Sequence, residues 1–176
     1  RDREYRLHKT NERIPLFSEA LTVVGGKVPL IIELKSYDPV DILCPLVWEI
    51  LKDYKGEYCI ESFDPKIVAW FKTYHPHVLR GQLMAHFTGK EPEFNSGFKA
   101  FFARNLWTNV VSRPHFEAYD LHARNNISHR IACGLMKMQE ASWTIRTAEE
   151  YRLCKSAGAL CIFEYIRPEI SDGHEH

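Results

Sequence analysis

Six short apolar runs recur along the chain, at 28–35, 58–63, 78–83, 116–121, 141–146 and 159–165, and helical spacing fills much of what lies between them. This alternation of strand and helix argues for parallel pairing, because parallel neighbours need a crossover long enough to bring the chain back to the same edge. Asp64-Pro65 offers an N-cap and a proline at the first helical position, followed by Ile67, Val68, Trp70, Phe71 and Tyr74 at three- and four-residue steps. Thr147-Ala148-Glu149-Glu150 has the spacing of a capping box, with Gly158 as the stop. Asp38 and Asp41 are two candidate caps for a helix running to Tyr54, with Pro45 in its first turns or kinking it. Further helices are expected over 94–111, on the stripe Phe98, Phe101, Phe102 and Leu106, and over 127–138.

At 176 residues with 45% hydrophobic content, the chain reads as a single α/β domain over 1–176. The 23 basic and 23 acidic residues cancel, so no net positive field draws in nucleic acid; a small ligand or a protein partner is expected instead. Five cysteines, odd in number and without a CxxC pair, read as reduced thiols in a core, which favours the cytoplasmic side. No run reaches the roughly 20 apolar residues of a membrane span.

Two parallel architectures suit such a pattern, an open doubly wound sheet and a barrel. Gly25-Gly26 precedes a strand instead of following one, so neither a Rossmann loop nor a P-loop fits, and the barrel is the better choice. Strand-end residues of a barrel face its C-terminal rim, where Glu33, Lys35, Glu61, Phe63, Gln82, Asp120, His122, Trp143 and Glu164 are expected. Glu33 and Lys35 are the sharpest of these. Residues two apart on a strand share a face, and an acid and a base ending an apolar strand need a partner, a metal or water. Glu61 is read as a further acid of the pocket or as a partner of Arg80 or Lys35, with Gln82 and His122 as secondary site candidates. His75 and His77, flanking Pro76, read as loop histidines.

Taken in order, the runs Ile14 to Leu21, Val28 to Lys35, Ile60-Glu61-Ser62-Phe63-Asp64-Pro65 and Ser142-Trp143-Thr144-Ile145-Arg146 resemble the glycerophosphodiester phosphodiesterase family. The resemblance covers roughly 12–166; its most specific parts are Glu33 and Lys35, Ser62-Phe63 and Trp143-Thr144. It implies a TIM (β/α)8 barrel that hydrolyses glycerophosphodiesters to sn-glycerol 3-phosphate and an alcohol with a divalent cation, Mg2+ or Ca2+. By that likeness Glu33 and Lys35 are catalytic, Glu33 as a metal ligand and Lys35 on the phosphate or the developing anion, and Phe63 and Trp143 wall the glycerol and leaving group.

The departures from the family pattern matter as much. The family's His-Arg-Gly, Glu-x-Asp and His-Asp motifs, which carry the acid-base histidines and further metal ligands, are not in these 176 residues, and the last run ends in Phe163-Glu164 where Thr-Asp is common. The resemblance thus implies strands three to eight of a barrel, inactive alone. Two sheet edges are then left open, to be covered by an N-terminal segment or by a homo-oligomer. Two alternatives accompany it: a degenerate, non-catalytic barrel used for binding or oligomerisation, and a phosphodiesterase acting on lysophospholipids.

Overall fold

The computed structural model describes residues 9–84, 112–121, 133–134 and 138–168. Six strands form one sheet: β1 Leu30–Glu33, β2 Tyr58–Ser62, β3 Leu79–Met84, β4 Phe116–Asp120, β5 Gln139–Ile145 and β6 Leu160–Phe163. Four helices accompany them, α1 Phe17–Val24, α2 Val40–Leu51, α3 Pro65–Tyr74 and α4 Ala148–Ser156. All six expected strands are present, mostly a residue or two shorter at their ends.

Every neighbouring pair is parallel, and the order across the sheet is the order along the chain, β1-β2-β3-β4-β5-β6. A doubly wound sheet reverses its direction of growth at a switch point; this one never does. Right-handed crossovers that always step the same way place their helices on one face, and a twisted sheet covered on one face curls into a barrel wall. The fold is a partial (β/α) barrel.

Register identifies the two faces. Ile60 on β2 is fully buried in a cluster with Cys44, Val47 and Leu51 of α2 and Ile67 and Phe71 of α3, so its side of the sheet faces the helices. The opposite face carries a second cluster, Leu83, Ala118 and Ala141, with Phe63, Phe116, Trp143 and Ile162 packed on it. Central strands β3 and β4 are buried along most of their length, whereas β1 alternates between half-buried and exposed residues and β6 is exposed at both ends with a half-buried middle. Among the described residues each of these edge strands pairs on one side only, and Ile31 and Leu160 are more than half exposed.

Local chemistry sets most helix ends. The Asp64 carboxylate accepts from the Lys66 amide at 2.9 Å ahead of Pro65, as the sequence predicts. Thr147 and Glu150 close a reciprocal capping box on α4. At α2 the expectation fails. Neither Asp38 nor Asp41 caps it: Pro39 is the N-cap, its carbonyl accepts from the Ile42 and Leu43 amides, and the helix continues through Pro45 to Leu51. The helices expected over 94–111 and 127–138 lie outside the described residues, save for isolated positions of the second.

Candidate active site at the strand ends

The site begins with strand register. Glu33, the last residue of β1, is the Cα partner of Glu61 on β2. Leu30, Ile32 and Ile60 pack with the helices, so the alternation of side chains turns both glutamates to the opposite face. Lys35 follows β1 by two residues, and its Nζ lies 3.9 Å from Glu33 Oε1. Both side chains of this pair meet solvent, Lys35 at 61% and Glu33 at 35% exposure.

Glu61 is in a different state. It is 7% exposed, and its Oε2 accepts no hydrogen bond among the described residues. Burial first, and then the neighbouring Glu33 charge, push its carboxyl up to about 7. Two carboxylates side by side, one of them desolvated, favour taking up a proton or a cation between them.

The partners expected for Glu61 are engaged elsewhere. Arg80 is the register partner of Ile60 and shares its helix-facing side, where its guanidinium donates to the carbonyls of Pro76, Val78, Ser112 and Arg113. Gln82, expected on the rim, also lies on that side. It is fully buried, and its Nε2 donates to the carbonyls of Ser62, Phe63 and Leu83. Gln82 therefore braces the turn after β2 and does not share a face with Glu33. Ser62 braces the same turn, its hydroxyl donating to the Leu34 carbonyl and accepting from the Asp64 amide.

Phe63 and Trp143 do come together. Their rings meet edge to face at 6.1 Å and 86°, above the Leu83, Ala118 and Ala141 cluster. Trp143 is the register partner of Asp120, which places Asp120 on the same face. Glu164 is drawn off the expected set by Arg146, whose Nε donates to it at 2.7 Å. His122 lies outside the described residues. His75 stacks on Trp48, ring centroids 3.7 Å apart, beside His77 and before β3, at the opposite end of the strands.

Glu33, Lys35 and Glu61 thus form a polar group on one face, with an aromatic pair on the face they share. Glu61 is the member that sequence reasoning underweighted, since only the pairing of β1 with β2 sets it beside Glu33. The carboxylate oxygens suit a hard cation such as Mg2+ or Ca2+. Among the described residues no group of three or more His, Cys, Asp or Glu gathers to close a coordination sphere.

No protein-family model matches the sequence, and no curated protein does. Solved structures do match the fold. A glycerophosphodiester phosphodiesterase from Parabacteroides distasonis superposes with a TM-score of 0.65 at 15% identity, over 86% of this chain and 60% of that one. An Oleispira antarctica phosphodiesterase, solved in complex with the product sn-glycerol-3-phosphate, gives 0.63 at 15% identity, over 86% of this chain and 57% of that one. The glycerophosphodiester phosphodiesterase of Thermotoga maritima gives 0.59 at 18% identity, over 86% and 60%. The chain spans little more than half the length of such relatives, and what it shares with them is their barrel.

Proposed function

We propose that these residues belong to a phosphodiesterase that hydrolyses glycerophosphodiesters to sn-glycerol 3-phosphate and an alcohol. The observation that carries this reading is Glu33, Lys35 and Glu61 grouped at the strand ends of a barrel like those of the glycerophosphodiester phosphodiesterases. Barrel enzymes hold their chemistry at that rim.

Each residue has a separate role. Lys35 is a mobile point charge for a phosphate oxygen, and its partial exposure leaves it free to move from Glu33 to a ligand. Phe63 and Trp143 form an apolar wall for the glycerol and the leaving group. Glu33, with Glu61 beside it, would hold Mg2+ or Ca2+, and that ion when bound neutralises phosphate charge and orients the diester. The group lacks a histidine for proton transfer among the described residues, and a missing general acid-base pair costs about 10^2- to 10^4-fold in rate. On this reading those groups come from beyond the described residues, and the 176-residue chain alone is expected to be inactive.

The test uses protein expressed from the full coding sequence, beside the 20.6 kDa chain of these residues. Release of glycerol 3-phosphate from glycerophosphocholine by the protein of the full coding sequence, abolished by EDTA and by Glu33→Gln, is the expected result. Preference for a lysophospholipid would change the substrate and keep the chemistry. A full-length protein that hydrolyses neither diester overturns the proposal, and a stable oligomer of that inactive protein would favour the non-catalytic barrel.

A further inference from the structure

The five cysteines are not equivalent. Cys154, in the last turn of α4, and Cys161, on β6, are seven residues apart in sequence, and their Sγ atoms lie 2.8 Å apart. A covalent S–S bond measures about 2.05 Å, so the pair stands within about 0.8 Å of bonding distance.

The fold holds them there by two separate devices. Gly158, at φ +72°, turns the chain sharply between α4 and β6. Cys161 is the register partner of Ser142, a fully buried residue, which fixes β6 with its Cys161 side toward α4. Cys154, Ala159 and Ile145 form a buried cluster against which Cys161 packs.

We propose that Cys154 and Cys161 are a disulfide-forming site, oxidised by a small-molecule disulfide such as oxidised glutathione. Burial sets the order of events. Cys154 is fully buried and Cys161 is partly exposed, so Cys161 reacts first and Cys154 is the resolving thiol. The Cys161 thiolate attacks one glutathione sulfur and forms a mixed disulfide, releasing one reduced glutathione. The Cys154 sulfur then displaces the second reduced glutathione as the intramolecular bond forms. Two protein thiols are oxidised, one glutathione disulfide is reduced to two thiols, and the two protein protons pass to them.

The surroundings set the pace. Burial, and then Cys154 itself, push the Cys161 thiol up to about 12. Little thiolate is present at neutral pH, so exchange is slow there and accelerates as pH rises. Cys44 and Cys59 are pushed up to about 12 and about 11 by burial, and nothing among the described residues brings another thiol to either. The bond ties the edge strand β6 to α4 on the helix-facing side, opposite the face that carries Glu33 and Trp143.

The experiment treats the folded protein with excess oxidised glutathione at pH 7 and pH 9, blocks remaining thiols by alkylation and digests with trypsin without reduction. Trypsin cleaves after Arg152 and Lys155, so the expected product is the Leu153–Lys155 peptide disulfide-linked to the peptide that begins at Ser156, formed faster at pH 9. Cys154→Ser is expected to stop at a stable glutathione adduct on Cys161, and Cys161→Ser to leave Cys154 unmodified. Both sulfurs recovered alkylated at pH 9, crosslinks to Cys44 or Cys59 instead, or a Cys154→Ser variant without the adduct would each overturn the assignment.

Discussion

Glu33 and Glu61 are register partners at the ends of adjacent strands, yet one is partly hydrated and the other is almost entirely buried. Parallel pairing puts two like charges on one face at neighbouring positions. Their repulsion is relieved by Lys35 on the exposed member and by proton uptake on the buried one, whose carboxyl rises to about 7.

This pair makes stability depend on pH. The folded Glu61 carboxyl keeps its proton up to about pH 7, whereas the unfolded one releases it from about 4.5, so stability falls as pH rises through that window and levels off above it. Glu61→Gln is expected to abolish this loss, leaving the variant more stable than the natural protein at pH 8 by up to about 3 kcal/mol. Urea denaturation at pH 5 and pH 8 measures it; an equal change in stability between the two pH values for both proteins would show that Glu61 titrates normally.

At the exposed end of the group, the proposed phosphodiesterase chemistry predicts that Glu33→Gln, in protein from the full coding sequence, raises the cation concentration needed for half-maximal rate and lowers kcat/KM by about 10^2-fold or more. Lys35→Ala should cost about 10^2- to 10^3-fold in kcat with little change in cation requirement, if its charge serves the phosphate as proposed. Steady-state kinetics across a Mg2+ titration separates the two roles.

Gln82 braces a turn from the helix-facing side of the sheet, the face opposite Glu33. Gln82→Leu removes the donor to the Ser62 and Phe63 carbonyls, and the expected cost is about 1–3 kcal/mol in stability from leaving them unpaired. Thermal and urea melts read this directly, and Phe63 fixed less firmly should raise KM.

Close approach explains one glycine. A Cβ on Gly81 would run into the Phe116 ring, so Gly81→Ala is expected to destabilise by about 1–3 kcal/mol through overpacking. Phe116→Leu in the same chain should recover part of that loss. A double-mutant cycle with no coupling would show that the ring swings clear on its own.

Local sequence specified the elements and several of their ends. Six apolar runs became six strands because burial and β-preference coincide there, and Asp64 and Thr147 cap their helices through contacts three residues or fewer away. Glu33 and Lys35 were legible for the same reason, as charges that end an apolar run. The neighbours of these residues were settled by packing in three dimensions. Strand alternation tells that Glu61 and Gln82 each choose a face, but the face that meets helices depends on docking: Ile60 against α2 and α3 sends Arg80 and Gln82 to that side and Glu61 to the other. The Glu33–Glu61 pairing and the 2.8 Å approach of Cys154 and Cys161 likewise depend on strand register and a helix docking on its sheet. Such relationships join residues that local propensity treats as independent, and only cooperative burial selects among the possible arrangements.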